Sequence, residues 1–180
     1  MLKGFKKTCD NGKTTAGIVK VLIAKKGTIT AATMDPADPE AYKSLTMKAG
    51  EGFVKYEFME DECEFQENYK TENGITSVEQ KLIFKLPGMT PETRNAVEEI
   101  AVASACGLEA AVCRKGKVQI VGYDEEFKSE RPLRLNATTG TTGKKLTDAA
   151  GEEITLSRET TEKARYYVGE ESALTPTPAE

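Results

Sequence analysis

The spacing of apolar residues along the chain predicts mostly β-strands. Residues 18–24 form an apolar-leaning run rich in β-branched side chains, and residues 28–33 form a second β-prone run. Lys25-Lys26-Gly27 between them predicts a turn, so we expect a hairpin or two neighbouring strands. Asp35-Pro36-Ala37-Asp38-Pro39 then predicts a loop, because proline and aspartate interrupt regular structure.

A long hairpin is predicted in the middle of the chain. Residues 53–59 alternate, and one face of this half-buried strand carries Val54, Tyr56 and Phe58. The next strand runs from Cys63 towards Asn73-Gly74, the strongest turn signal in the sequence. One face of the returning strand carries Thr76, Val78, Gln80, Leu82, Phe84 and Leu86. Strands of about ten residues exceed the usual length, so we expect the polar tip to project beyond the body.

One helix is predicted from Pro91 to Cys106. Thr90 suits the N-cap position, proline suits the first helical residue, and Gly107 suits the stop. Small residues dominate the face expected to be buried, which consists of Ala96, Val97, Ile100, Ala101 and Ser104. A helix with such a face can pack closely against a sheet.

Strands resume after the helix. Residues 108–114 and 117–123 flank a Lys115-Gly116 turn and predict a tight hairpin. Residues 132–135 suggest an edge strand, and residues 136–147 read as a Thr/Gly-rich loop. Two further strands are expected in the segments 154–156 and 164–168, and residues 172–180 form an unfolded or draped terminus.

These elements predict a mainly β fold, an antiparallel β-sandwich or barrel with one packed helix, a long hairpin and extended loops. At 180 residues the chain is expected to form one domain, residues 1–169, followed by a flexible tail, residues 170–180.

Net charge, hydrophobicity and cysteine spacing restrict the classes of function that the chain can have. The net charge is −4, which argues against binding nucleic acid by phosphate neutralisation but not against letting it pass. With no long apolar run and no signal peptide, we expect no membrane contact and synthesis in the cytoplasm. In that reducing compartment the four cysteines are expected to be free, with Cys106 and Cys113 in the core.

No catalytic, cofactor or metal site is predicted. Gly12-Lys13-Thr14 lacks the earlier glycine of a phosphate loop, because position 7 is Lys7. The acidic run at 57–67 lacks the glycine-centred calcium loop, so a solvated or interface-facing strand is the preferred reading. The chain has no histidine, which excludes the usual nucleophile–histidine catalysis. We therefore expect a protein that is not an enzyme.

Seven segments carry a family resemblance. They are Lys7-Thr8-Cys9-Asp10-Asn11, residues 58–68, Ser104-Ala105-Cys106-Gly107-Leu108, Val121-Gly122-Tyr123, Arg131-Pro132-Leu133, Thr142-Gly143-Lys144 and Glu162-Lys163-Ala164-Arg165-Tyr166-Tyr167. Over residues 5–169 the chain resembles small structural proteins of bacteriophages and prophages. Its layout of two sheets, one flanking helix, a long hairpin and long loops is similar to that of phage tail-tube proteins.

The resemblance implies a virion tail protein, made in the host bacterial cytoplasm, whose homo-oligomeric rings, usually hexamers, stack into a tube. DNA would pass through the lumen without specific binding, and tape-measure and terminator proteins would be further partners. Three other readings stay open: a head–tail connector or other neck protein, a soluble ligand-binding β-barrel and, third, an enzyme. A closed apolar pocket in the monomer would favour the barrel.

Two segments are the predicted subunit interfaces. The hairpin segment 63–76 is expected to be an arm rather than core, and residues 136–148 are expected to be mobile in the free subunit and ordered between rings. The individual residues predicted to make contacts are Phe65, Tyr69, Asn73, Gly74, Ile75, Thr141, Thr142, Gly143, Lys144 and Lys145.

Overall fold

The computed structural model describes residues 17–58, 61–145 and 148–175. The strands in chain order are β1 (Ile18–Lys25), β2 (Ile29–Asp35), β3 (Asp38–Met47), β4 (Val54–Tyr56), β5 (Cys63–Glu72), β6 (Ile75–Pro87), β7 (Leu108–Arg114), β8 (Lys117–Val121), β9 (Arg134–Thr141), β10 (Gly151–Thr160) and β11 (Arg165–Tyr167). Helix α1 (Pro91–Cys106) lies between β6 and β7, and a 3-10 turn (Glu171–Ala173) follows β11.

The strands form two sheets. Sheet A has seven strands in the order β2-β3-β11-β8-β7-β1-β4, and sheet B has four in the order β5-β6-β10-β9. All pairings are antiparallel except the one between β3 and β11. The predicted fold class, a mainly β antiparallel sandwich with one helix, is confirmed.

The main core lies between the two sheets. Every second side chain of β6 from Val78 to Leu86 is buried, as its alternating sequence predicts. Opposite β6 and β10, sheet A contributes apolar side chains from β1, β7 and β8. The fully or almost fully buried members of this core include Val21, Ile23, Leu82, Phe84, Leu108, Ala110, Val112, Val121, Ile154 and Leu156. Burying one such large side chain stabilises the fold by about 1.5–3 kcal/mol.

A second core covers the other face of sheet A. Its members come from β1, β7 and β8 and also from β2 and β3, so the sheet curls to bring its own strands face to face. Leu174, 1% exposed, packs into this core, and its carbonyl accepts a hydrogen bond from the Phe53 amide at 2.9 Å. Residues 170–175, the start of the predicted flexible tail, thus contain a leucine anchored against sheet A, and the flexibility of the tail stays a prediction.

Helix α1 has the predicted bounds and caps. Thr90 Oγ1 accepts a hydrogen bond from the Thr93 amide at 3.2 Å, and Gly107 follows the last residue. The predicted buried face is right for Ile100 and Ser104 but wrong for Ala101, which is exposed. Since α1 contacts β9, β10 and β1, it lies across one side of the sandwich, and the side chains turned away from that side face solvent.

The cysteine predictions have opposite outcomes. Cys113 is buried in the second core, where burial raises the pKa of its thiol to about 12. Cys106 is exposed at the end of α1, so its assignment to the core is wrong. The last turn of the helix contacts β9 through Ser104, whose Oγ accepts a hydrogen bond from the Leu135 amide at 2.6 Å, and the Cys106 side chain lies on the solvent side of that turn.

Several boundaries differ from the sequence prediction. Residues 136–141 are not a loop but most of β9, which pairs with β10, because threonines form strands readily when a partner edge is available. The segment 18–33 is not a hairpin, since β1 and β2 lie far apart in sheet A. The loop at 35–39 shrinks to a turn at residues 36–37, and β3 begins at Asp38.

Other predicted elements lie where expected. The hairpin of β5 and β6 is confirmed, with Glu72 paired to Ile75 across the turn, as is that of β7 and β8. The strand predicted over 53–59 is shorter, being β4 alone. Residues 7–11 and Gly12-Lys13-Thr14 lie outside the described residues. Within the described part, no helix is long and apolar enough to cross a membrane.

Candidate functional site: the edges and ends of sheet B

Sheet B has two long outer edges. Among the described residues no strand pairs with the outer edge of β5 or of β9. The outer strands of sheet A are blunted instead, since β4 has three residues and three register irregularities interrupt β2. Short or irregular edge strands resist pairing with another chain. The edges able to accept another strand are therefore those of sheet B.

The β9 edge carries no charge along most of its length. From Leu135 to Gly143 the sequence contains neither a charged residue nor proline, and these are the usual means of protecting an edge. A bulge at Asn136 interrupts the pairing near the start of the strand. Residues 137–141 after the bulge are all exposed. This stretch can accept a further strand without burying a charge.

The β5 edge differs in its chemistry. Its ten residues include three glutamates and one lysine. Glu67 faces inwards, where its Oε1 accepts hydrogen bonds from the Ala164 amide at 2.6 Å and from Gln80 Nε2 at 3.0 Å. Glu64 and Glu72 face the opposite side of the sheet. The two edges of sheet B are thus unlike each other, one neutral and one acidic.

The outer face of sheet B is polar. Alternation along the strands places five glutamates and three lysines there, namely Glu64, Glu72, Glu79, Glu153, Glu159, Lys70, Lys81 and Lys85. Some pair across strands, for example Lys70 and Glu79 with Nζ and Oε1 3.1 Å apart. With Arg134, which is paired with the outward-facing Ser157, the formal charge of this face is −1. It is a hydrated surface and lacks the basic patch that grips phosphate.

The β5–β6 tip holds most of the predicted hairpin contacts. Asn73 and Gly74 have φ of 51° and 79°, the left-handed backbone that a two-residue turn requires. Tyr69 is 61% and Ile75 is 73% exposed. Lys163 Nζ lies 5.1 Å from the centroid of the Tyr69 ring. The tip therefore presents two large apolar side chains to solvent.

The start of the hairpin is not an arm. Phe65 and Cys63 are half-buried and pack against the main core, because alternation turns them inwards. Burial raises the pKa of the Cys63 thiol to about 12. The prediction that residues 63–76 lie outside the core is wrong for this part. The predicted interface role of the half-buried Phe65 stays a prediction.

The segment after β9 is organised by Asp148. Its Oδ2 accepts hydrogen bonds from the Lys144 and Lys145 amides at 2.8 and 2.9 Å, and these bonds lower the pKa of its carboxyl. Thr141 Oγ1 accepts another from the Gly143 amide at 3.1 Å, and Thr142 is exposed. In the described part neither lysine ammonium makes an ion pair.

The two predicted interface segments lie at opposite ends of sheet B. Pro87, Gly151 and Thr141 are aligned across β6, β10 and β9, whereas Ile75 lies at the other end of β6. A strand of 13 residues spans about 40 Å. The segments therefore cannot form one site within a subunit, and they face in opposite directions along the strands.

An open cleft of mixed polarity lies beside the Pro87 end. It has a volume of about 360 Å³ and is lined by residues of β4, β6 and α1 and by Glu57: the apolar Val54, Tyr56, Leu86, Pro87 and Ala96, and the polar or charged Lys55, Glu57, Thr93 and Glu99. Val54 on its rim is 60% exposed. Sequence reasoning missed this cleft, because the alternation at 54–58 indicates only that these residues share a face. Which element lies opposite them is decided by tertiary packing.

Buried charged groups elsewhere serve the fold. Arg158 Nε donates to Gln80 Oε1 at 2.5 Å, and Arg158 Nη1 lies 3.3 Å from Asp124 Oδ2. Asp124 also accepts from Thr160 Oγ1 at 2.6 Å. Burial lowers the pKa of Arg158. Among the described residues no group of three or more His, Cys, Asp or Glu side chains could hold a metal ion.

Comparison of the chain with protein-family models, with curated proteins and with solved structures found no match.

Proposed function

We propose that this chain is a structural subunit that assembles into rings through the two edges of sheet B, and that it serves as a bacteriophage tail-tube protein. The observation that carries the proposal is the pair of long, unlike edges on one four-stranded sheet. An unpaired edge is a template for another chain. A subunit with two such edges can add a neighbour on each side.

The strand directions are compatible with a ring. Three antiparallel steps separate β5 from β9, so the two edge strands run in opposite directions. A rotation about an axis along the strands brings β9 of one copy beside β5 of the next in antiparallel orientation. Repeating this contact between unlike surfaces closes a ring or continues as a filament.

The charges favour pairing between unlike edges. Two β5 edges placed together would bring glutamates opposite one another, which destabilises a sheet. Two β9 edges could pair, but both β5 edges would then stay unpaired. The arrangement that uses every edge without opposing like charges is β9 against β5. It also leaves the outer face of sheet B on one side of the assembled wall.

The size of such a ring suits a conduit. Six copies, the number that the tail-tube resemblance implies, would contribute about 24 strands in all, more than the 16–18 strands of barrels that leave an aqueous channel. The polar outer face of sheet B would line the lumen, with five glutamates against three lysines and one arginine. A wall of that sign repels phosphate and lets DNA slide.

The alternative of a soluble ligand-binding barrel has less support. Apolar side chains that are buried almost completely take up the space between the sheets. A head–tail connector or neck protein would also pair the β5 and β9 edges between subunits, in a ring with a different number of copies. The resemblance in the long hairpin and loops supports the tail tube over these virion components.

Two substitutions at one position test the edge pairing. Thr139 is exposed near the middle of the β9 edge. If β9 pairs with the acidic β5 edge, Thr139→Asp should weaken assembly at least tenfold, whereas the matched control Thr139→Lys should assemble nearly as well as the unmodified chain. Sedimentation velocity over a range of concentrations measures both. Equal assembly of the Asp variant and the unmodified chain, or monomers in all three proteins, would reject the proposal.

A further inference from the structure

A short segment after β11 lies against the face of sheet A that carries the second core. This segment, residues 169–175, is called the strap below and contains the 3-10 turn Glu171–Ala173. Val168 just before it still belongs to the sheet, because its amide donates a hydrogen bond to the Tyr42 carbonyl at 3.0 Å. The strap is therefore an addition to the sheet and not one of its strands.

Two side chains of the strap contact sheet A. The Leu174 amide donates a hydrogen bond to the Glu171 carbonyl at 2.9 Å, and residues three apart in a 3-10 turn lie on the same side. Leu174 is buried in the second core, and Glu171 forms an ion pair with Lys20 of β1. Ser172 and Ala173 between them are exposed. The strap thus binds through a glutamate and a leucine three residues apart.

Sheet A supplies a matching surface, called the socket below, which consists of Lys20, Leu22, Phe53 and Cys113. Lys20 is paired with Cys113 across β1 and β7, and Leu22, Phe53 and Cys113 belong to the second core. The Phe53 amide donates to the Leu174 carbonyl at 2.9 Å. Backbone hydrogen bonds together with pockets for particular side chains are the means by which protein surfaces recognise short peptides.

Few contacts hold the strap in the socket. Leu174 is its single buried residue, and the Lys20–Glu171 pair is partly exposed, so that it adds little to stability. These contacts oppose the conformational entropy lost in ordering seven residues. Segments with few buried apolar contacts open before the rest of a fold. We therefore expect the strap to leave the socket while both sheets stay folded.

We propose that the socket is a peptide-binding site for a glutamate followed three residues later by a leucine, and that the strap occupies it as a releasable internal ligand. A partner polypeptide with these two side chains displaces the strap and binds in its place. The site belongs to sheet A alone, so it does not depend on assembly through the edges of sheet B.

Thiol labelling tests the release of the strap in the full chain. Cys113 lies in the socket, whereas Cys63 packs against the main core. Leu174→Asp should raise the rate of Cys113 alkylation at least tenfold and leave that of Cys63 unchanged, with each site identified by mass spectrometry. The control Ser172→Asp adds the same charge at an exposed position and should be labelled like the unmodified chain.

Two results of the labelling would overturn the proposal. Unchanged alkylation of Cys113 in the Leu174→Asp variant would show that the strap does not cover the socket. Faster alkylation of both Cys113 and Cys63 would show that the sheets unfold together with the strap, which is then part of the fold and not a releasable ligand.

Peptide binding tests recognition by the opened socket. A fluorescent peptide with the sequence of residues 169–175 should bind the Leu174→Asp chain at least tenfold more tightly than the unmodified chain, whose own strap competes. The same peptide with aspartate in place of its leucine should bind at least tenfold more weakly. Fluorescence anisotropy measures both differences. Equal binding to the two proteins, equal binding of the two peptides, or no binding to the opened chain would overturn the proposal.

Sedimentation velocity distinguishes a partner peptide from a second copy. Under the proposal, Leu174→Asp and Ser172→Asp leave the oligomeric state of the chain as it is. Dimers that Leu174→Asp abolishes and Ser172→Asp retains would make the strap of another copy the occupant of the socket, and would overturn the assignment of a partner polypeptide.

Discussion

Glu109 holds three segments of the chain together from a fully buried position in β7. Its Oε1 accepts hydrogen bonds from the Gly27 amide at 2.8 Å and from Ser129 Oγ at 2.7 Å, and its Oε2 accepts one from the Ile29 amide at 2.9 Å. Burial raises the pKa of this carboxyl and the three donors oppose that shift. The carboxylate thereby fixes the turn between β1 and β2.

The substitution Glu109→Gln should lower the free energy of unfolding by about 1–3 kcal/mol, because the amide group would face a buried N–H donor and leave it unsatisfied. Urea unfolding measures the change. The exposed neighbour Glu130 is the matched control, and Glu130→Gln should change stability by less than about 0.5 kcal/mol. Equal stability of the two variants would show that the three hydrogen bonds do not hold the turn.

The alternation of apolar and polar residues predicts which strand side chains are buried. It does not predict the burial of an isolated charged residue or of a single leucine in a polar segment. Glu109 is flanked by apolar residues in β7. The sequence does not indicate that two backbone amides and a serine hydroxyl will donate hydrogen bonds to its carboxylate. Leu174 is a single leucine in a polar terminus, so no periodicity marks it as a core residue. In both cases the deciding partner comes from a distant part of the chain.

The β5–β6 hairpin is the element that alternation predicted most fully. Ten paired positions join the two strands, from Cys63 and Phe84 to Glu72 and Ile75. The half nearer Cys63 packs on the core, and the half nearer the turn extends into solvent. The hairpin is therefore both a part of the sandwich and a projection from it.

Shortening the hairpin by two cross-strand pairs should abolish assembly and spare the fold. Deleting residues 71–72 and 75–76 keeps the Asn73-Gly74 turn and the register, and it removes only exposed side chains. We expect the unfolding free energy to change by less than about 1 kcal/mol. Circular dichroism during urea unfolding and electron microscopy check the two parts, and unfolding of the shortened subunit would contradict the assignment of an assembly role to the tip.

Parts of β9 and β3 were predicted as loops, and both errors have the same cause. The threonines and glycine of residues 136–141 lack the apolar alternation of a half-buried strand, and they form one because β10 offers them a partner edge. β3 begins at Asp38-Pro39, a pair typical of loops. Strand formation at such positions depends on tertiary pairing more than on local propensity.

At the scale of the whole molecule, the sequence predicts the sandwich with one helix, because the alternating segments and the capped helix are unambiguous. The sequence does not predict the order of the strands within each sheet. β1 and β2 adjoin in sequence yet belong to distant parts of sheet A, and β11 returns to separate β3 from β8. Consequently the free edges, which the proposed assembly uses, became visible only from the pairing of all eleven described strands.

Hydrogen exchange tests the central claim, that the edges of sheet B pair between subunits, most directly. In the free subunit the amides of β5 and β9 that point away from their partner strands should exchange fast. In the assembled protein the same amides should exchange at least tenfold more slowly at both edges, while the Lys144 and Lys145 amides keep the protection that Asp148 gives them in either state. Fast exchange at both edges of the assembled protein would contradict the account.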